Sequence, residues 1–130
     1  MGEKNISDAE LELMKIIWKC KDKAGNYDFI STNDIMEQIK DKWNVSTVFT
    51  LLSRLEKKGF VRSAKAGRNN VYAAVVMEKS YLEDESRRFI NKLYDGSIKN
   101  LLTAFCDEKV SKEELDEIEK FLEERKKSQG

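Results

Sequence analysis

The stretch that decides the fold is STVFTLLSRLEKKGFVRSAKAGRNNVYAAV, residues 46–75, because it contains a helix, the end of that helix and a basic hairpin. Apolar residues recur in its first part at i, i+3, i+4 and i+7, which predicts a helix that buries one stripe. That stripe consists of Val48, Leu51, Leu52 and Leu55. We expect Ser46 to cap the helix and Gly59 to end it in a left-handed conformation.

The outward face of this helix is suited to DNA contact. It combines hydroxyl groups, an aromatic ring and cations, which can contact base edges and phosphates, instead of the Glu/Lys pairs of a merely solvated helix. The predicted base-contacting residues are Thr47, Phe49, Thr50 and Ser53, with Ser46 beside them, and the predicted phosphate-contacting residues are Arg54 and Lys57.

A basic hairpin is predicted after the helix. Residues 60–65 and 71–76 are β-prone, and the turn-rich residues 66–70 lie between them, with Arg68 near the tip. The residues expected to reach the DNA backbone or minor groove are Lys65, Arg68, Asn69 and Asn70. Residues 44–75 contain six Lys or Arg and one acid, although the whole chain balances at 24 basic and 24 acidic residues. The positive charge is therefore local, as in a nucleic-acid-binding surface.

The preceding residues predict the rest of a winged helix-turn-helix domain over residues 1–76. A capping box at Ser7–Glu10 starts a first helix that runs to about Cys20. A short extended segment, residues 28–30, is expected to pair with the hairpin, and Ser31 or Thr32 caps a second helix. The order helix, strand, helix, turn, helix, hairpin is that of a winged helix.

Residues 77–130 predict three amphipathic helices that would bury little by themselves. We expect a second copy of the chain to cover their apolar stripes. The fold class is therefore mainly α with a small β-hairpin, a winged helix-turn-helix domain followed by a three-helix dimerisation region. The predicted dimerisation residues are Tyr81, Leu82, Phe89, Ile90, Leu93, Ile98, Leu101, Leu102, Phe105, Leu115, Ile118, Phe121 and Leu122.

A two-fold dimer would set two recognition helices about 34 Å apart, which matches a palindromic operator in double-stranded DNA. The alternative is a monomer in which the three helices pack back onto the winged domain.

Composition disfavours other classes of function. The chain has no histidine, no Cys-x-x-Cys pair and no glycine-rich phosphate loop, so neither catalysis nor a metal or other cofactor is expected. Cys20 and Cys106 are expected to be reduced, apolar side chains. No apolar run is long enough to span a membrane, so we expect a soluble, cytoplasmic protein without membrane insertion.

The chain resembles the BlaI/MecI penicillinase repressors, which are bacterial winged-helix regulators. The resemblance rests on four motifs in order: ISDAELELMKIIW at 6–18, STVFTLLSRLEKKG at 46–59, Gly67-Arg68 leading into Val71-Tyr72, and YLEDESRRF at 81–89. It implies a homodimer that binds palindromic operators ahead of resistance genes and its own regulatory operon. It also implies release when a membrane-bound sensor protease triggers cleavage in the dimerisation region, here at Ala104–Phe105.

The chain departs from the family pattern at three places. Ser46 and Phe49 stand where family members often present a basic side chain, and Phe49 can pack on a thymine methyl or lie on the surface. Ala104 stands where some members have Asn before the Phe. The tail, residues 123–130, lacks the cysteine-rich motif of the copper-responsive branch. A winged-helix module that binds only proteins is the alternative function, and an enzyme is the least favoured one.

Overall fold

The computed structural model describes residues 5–20, 29–39, 41–106 and 110–129. It confirms the predicted fold class, since helices dominate and a small antiparallel sheet accompanies them. The elements are α1 (Asp8–Lys19), β1 (Ile30–Ser31), α2 (Thr32–Ile39), α3 (Val45–Lys57), β2 (Val61–Ala66), β3 (Asn69–Ala74), α4 (Glu78–Tyr94), α5 (Ile98–Cys106) and α6 (Lys112–Gln129).

The sheet has the order β1-β3-β2, and β3 is antiparallel to both neighbours. Ile30 pairs with Tyr72, which confirms the predicted third strand at its last residue; the earlier part of that segment lies mostly outside the described residues. The hairpin turn is tighter than predicted, because Ala66 pairs with Asn69 and only two residues connect the strands. Gly67 makes this possible with a φ of +67°, a conformation that glycine adopts at little cost.

A single apolar core joins the three N-terminal helices to the sheet. The predicted stripe of α3 is buried, and it packs with α1 and α2 residues of the same kind. The fully buried side chains include Leu13 and Met14 of α1, Ile35 of α2 and Phe60 after α3. Trp18 and Trp43 are partly buried and pack against this core. The core therefore fixes the face that α3 presents outward.

The ends of α3 are set by local hydrogen bonds. The expected cap, Ser46, is wrong: Asn44 is the N-cap, and its Oδ1 accepts from the Thr47 N–H at 2.9 Å. At the other end Phe60 N–H donates to the Leu55 carbonyl and Gly59 N–H to the Glu56 carbonyl, with Gly59 at a φ of +83°. This is a Schellman motif, and it confirms the predicted role of Gly59.

The chain divides into two compact units, of which the first extends to Leu82 and the second begins at Glu83. The sequence places its boundary earlier, after Val76. The first turn of α4 belongs with the first unit because the Tyr81 ring lies 5.7 Å from that of Trp18 and 5.8 Å from that of Phe60, between centroids. The Trp18 indole N–H also donates to the Val76 carbonyl at 2.9 Å.

Candidate nucleic-acid interface

The outward face of α3 is a continuous exposed surface opposite its buried stripe. Helical spacing places four residues along its outermost line: Ser46, Thr50, Ser53 and Lys57. Thr47 and Arg54 lie on one flank of that line, and Val45 and Phe49 lie on the other. All the residues of α3 predicted to contact DNA are therefore on the accessible side, with Thr47 half-buried.

Hydrogen bonds to nearby groups occupy the hydroxyl donors of Ser46 and Thr50 in the first two turns. Ser46 Oγ donates to Asn44 Oδ1 at 2.8 Å, and Thr50 Oγ1 donates to the Ser46 carbonyl oxygen at 3.0 Å. Each hydroxyl oxygen can still accept a hydrogen bond. In this conformation the first two turns thus offer acceptors and carbon groups at Ser46 and Thr50, and the free cationic donors lie further along, at Arg54 and Lys57.

The wing places its polar residues at the end of the hairpin. Lys65, Arg68 and Asn69 are exposed, and Arg68 is one of the two turn residues. Asn70 is half-buried, and its carbonyl oxygen accepts from Thr32 Oγ1 of α2 at 3.4 Å. This contact links the hairpin to the start of the second helix.

Lys58 is tied to the scaffold by an ion pair that the sequence does not indicate. Its Nζ lies 2.7 Å from Glu10 Oε1, and the Glu10 side chain is only 2% exposed. The same carboxylate oxygen accepts from the Ser7 N–H at 2.8 Å and so completes the predicted capping box. Burial raises the pKa of the Glu10 carboxyl, but Lys58 and Ser7 lower it more, so the net pKa is below its ordinary value. Lys58 therefore positions α3 against α1.

Two further contacts shape the charge beside the wing. The Arg62 guanidinium lies 4.7 Å from the centroid of the Phe29 ring, a cation–π contact that leaves its charge in place. Ser63 Oγ donates to Glu56 Oε2 at 2.8 Å, which joins α3 to β2. Glu56 is the one acidic residue in residues 44–75, and this hydrogen bond holds its carboxylate at the base of the hairpin.

The two other shifted groups are buried and do not point to catalysis. Burial raises the pKa of the Tyr72 phenol, and the Glu56 carboxylate raises it further. Burial and the nearby Asp34 carboxylate raise the pKa of the Cys20 thiol. A thiol with a raised pKa is a poor nucleophile. Cys20 and Cys106 are both free thiols, but only Cys20 packs in the core, and Cys106 is exposed.

Val45 is an exposed apolar residue of α3 that the sequence pattern did not single out. It is 49% exposed at the first position of α3, next to Phe49, which is 36% exposed. With the cap expected at Ser46, Val45 would precede the helix, so the sequence pattern did not place it on the exposed face. The true cap at Asn44 places Val45 inside the helix, four residues before Phe49 and on the same side.

The predicted dimerisation residues fall into two groups. Tyr81 packs on the first unit, so it serves the core there. The others lie on α4, α5 and α6, in which none of the described residues is buried. Eight of them are prominent exposed apolar side chains on these helices: Leu82, Phe89, Leu93, Ile98, Phe105, Leu115, Phe121 and Leu122.

Ala104 and Phe105, the residues at which the resemblance implies cleavage, lie in the last turn of α5. Both are exposed, and Phe105 is 55% exposed. Among the helices of the described ranges, none is long and apolar enough to cross a membrane.

Comparison with known proteins agrees with this architecture. The model of the Penicillinase repressor family matches residues 6–124. The chain is 37% identical over 124 residues to the penicillinase repressor of Bacillus licheniformis, covering 93% of this chain and 91% of that one. It is 36% identical over 120 residues to the methicillin resistance regulatory protein MecI of Staphylococcus aureus strain N315, covering 90% and 92%.

A solved structure supports the fold of the first unit. The solution structure of the DNA-binding domain of the repressor BlaI is 38% identical, with a TM-score of 0.50, and the match covers 62% of this chain and 94% of that chain. The winged helix-turn-helix formed by α1 to β3 is thus the arrangement of a DNA-binding domain. Together with the match over nearly the whole sequence, this shows that the chain belongs to the penicillinase repressor family.

Proposed function

We propose that this protein is a DNA-binding transcriptional repressor that recognises its operator through the outward face of α3 and the wing. One observation carries the proposal: the outward face of α3 and the hairpin are both exposed, polar and basic, and the same apolar core holds them together. Arg54 and Lys57 lie on α3, and Lys65 and Arg68 lie on the hairpin beside it. An α-helix fits the major groove of B-DNA, and cations on either side of it neutralise phosphates.

The division of labour follows from the position of each side chain. Ser46, Thr47, Phe49, Thr50 and Ser53 would enter the major groove. Arg54 and Lys57 would hold phosphates, and Lys65, Arg68, Asn69 and Asn70 would reach the backbone or minor groove. Lys58 is outside this set because Glu10 already pairs with it.

Residues 77–130 would assemble the repressor as a homodimer, in the cytoplasm where its operator lies. Three helices without a buried residue leave their apolar stripes available to a partner, and a second copy offers matching stripes. A two-fold dimer presents two copies of α3 to a palindromic operator, so each monomer would contribute one half-site contact.

Release would follow cleavage at Ala104–Phe105 after a membrane-bound sensor protease is activated. Both residues are exposed, which supports access, although they lie in a helix whose last turn must unwind to enter a protease. The cut would separate α6 from the rest of the chain and so weaken the dimer.

Fluorescence anisotropy tests the DNA-binding part. The duplex upstream of the protein's own gene is titrated beside a scrambled duplex of equal length, each over a salt series. We expect the upstream duplex to bind at least about a thousandfold more tightly, with affinity falling steeply as salt rises. Equal, weak binding to both duplexes would favour a protein-interaction module.

Thr50→Glu identifies the surface responsible. Thr50 is exposed on the outermost line of α3, so a carboxylate there would face phosphates and abolish operator binding while the fold persists. Ser128→Glu, at an exposed position of α6, adds the same charge elsewhere and should bind normally. Full affinity in Thr50→Glu would show that another face binds DNA.

A further inference from the structure

The first turns of α3 carry an apolar pair within an otherwise polar and basic surface. Val45 is 49% exposed and Phe49 is 36% exposed, whereas the buried stripe of the same helix is no more than 5% exposed. Residues four apart on a helix are neighbours, so the two side chains form one continuous patch. Single exposed apolar residues are ordinary on a protein surface. An adjacent pair on the face proposed to contact DNA indicates that a partner covers both side chains.

Charge restricts the partner of this patch. Lys57 lies further along the outermost line of α3, Arg54 lies on the flank opposite the patch, and Lys65 and Arg68 are exposed on the hairpin. A partner that covers both the patch and the outermost line of α3 therefore also meets cations, which suits the polyanionic backbone of DNA. Within the major groove, thymine alone among the four bases presents a methyl group, at C5.

The neighbouring hydroxyls support recognition by methyl contact. Ser46 and Thr50 donate within the helix, to Asn44 Oδ1 and to the Ser46 carbonyl, so their donors are not directed at bases. At these two positions the α3 surface thus offers carbon groups and acceptors, while its cationic donors lie further along, at Arg54 and Lys57.

We propose that Val45 and Phe49 form an apolar clamp that recognises the 5-methyl groups of thymines in each operator half-site. This inference rests on the proposed function, because it assumes that α3 enters the major groove. It adds Val45 as a specificity-determining residue and names the chemical group that the pair contacts.

The experiment begins with selection of a preferred duplex from a random-sequence pool by the full chain. Enrichment of no sequence would contradict the proposed function itself. With an enriched duplex, each thymine is replaced singly by deoxyuridine, which keeps every hydrogen-bonding group and removes only the methyl. We expect affinity to fall about three- to fivefold at one or two thymines per half-site, the effect of one buried carbon group.

Variants then assign the methyl contact to the clamp. Phe49→Ala and Val45→Ala should each bind the thymine duplex more weakly and lose the response to deoxyuridine at one position. Val75→Ala removes a comparably exposed side chain outside α3 and should keep the full response. Thermal unfolding of each variant confirms its fold, and the wild-type duplex series stands even if a variant does not fold.

Two outcomes would overturn the inference while leaving the repressor function intact. One is specific binding that is unchanged by deoxyuridine at every thymine. The other is a deoxyuridine response that Phe49→Ala and Val45→Ala retain in full. Either result would leave the patch to a protein partner.

Discussion

Lys58 and Arg68 show how two basic side chains in one short segment acquire different tasks. Lys58 is anchored to the buried carboxylate of Glu10, which lies 48 residues earlier in the chain. Arg68 stands in the exposed turn of the wing. Arg68 is therefore better placed than Lys58 to contact a phosphate, although the two are equivalent in a count of charges.

Arg68→Ala should weaken binding to operator and to random DNA by similar factors. The reason is that a phosphate contact carries no base sequence, and its loss lowers the salt slope by about one. Anisotropy titrations over a salt series measure both quantities. Lys127→Ala, an exposed site on α6, is the matched control, and a loss confined to the operator would instead assign Arg68 to base recognition.

Glu10→Gln should lower the free energy of unfolding by roughly 1–3 kcal/mol at neutral pH, since it removes a buried charge-assisted hydrogen bond. Folding lowers the pKa of Glu10, so its contribution is complete above the ordinary value of 4.5 and is lost as the pH falls below it. The difference between wild type and variant should therefore shrink on acidification.

Urea denaturation from neutral pH to about pH 3 measures this difference. Glu12→Gln is the control, because Glu12 pairs with Lys42 at a site where both side chains are about half exposed, 46% and 52%. A stability difference at Glu10 that stays constant over the whole pH range would contradict the assignment.

At the scale of elements, sequence patterns predicted the features that depend on residues close together in the chain, such as helix stripes, caps and ends. The stripe of α3, the end of α3 at Gly59 and the cap of α2 at Ser31 follow from neighbours in sequence, and the structure confirms them. The cap of α3 did not follow, because Asn44 and Ser46 are equally suitable residues and only backbone geometry selects between them. The strand ends shifted for a related reason, since a two-residue turn at Gly67–Arg68 lengthens the pairing toward the tip.

Contacts between distant residues lay beyond sequence patterns. The Glu10–Lys58 pair and the packing of Tyr81 on Trp18 and Phe60 join residues far apart in the chain. Spacing alone places Tyr81 in the apolar stripe of α4. Only the folded structure shows that its ring packs against the core of the first unit. The position of Val45 beside Phe49 could be predicted only with the correct cap, Asn44, which places Val45 inside α3.

Asn44→Ala should destabilise the protein by about 1 kcal/mol, because the Thr47 N–H loses its acceptor. Ser46→Ala should cost much less, since its hydroxyl donates only to the Asn44 side chain. Chemical denaturation of both variants provides the comparison. A larger loss in Ser46→Ala would return the cap to Ser46.

At the scale of the whole molecule, the two units differ in how completely each buries its apolar side chains. The first has a closed core of fully buried side chains, whereas α4, α5 and α6 contain none in the described ranges. In the proposed homodimer, association of α4, α5 and α6 would bring together the two copies of α3 that contact the operator. Operator affinity should consequently depend on protein concentration.

Phe121→Asp tests that coupling. Phe121 is 53% exposed on α6, and a carboxylate there would oppose burial between two copies. We expect a monomer by sedimentation equilibrium and a loss of operator affinity of about a hundredfold or more, because one linked half-site contact is removed. Lys120→Asp introduces the same acid on the polar face and should remain dimeric. A wild-type chain that stays monomeric at every concentration would contradict the dimer and favour helices packed within one chain.

The setting of Trp18 gives the molecule an optical signal of its own. The indole donates to the Val76 carbonyl and lies against the Tyr81 ring, so its emission is sensitive to whether the beginning of α4 is seated on the core. With two tryptophans in the chain, Trp43→Phe leaves Trp18 as the single emitter. A red shift of that emission would then mark detachment of α4 in real time, without any added label.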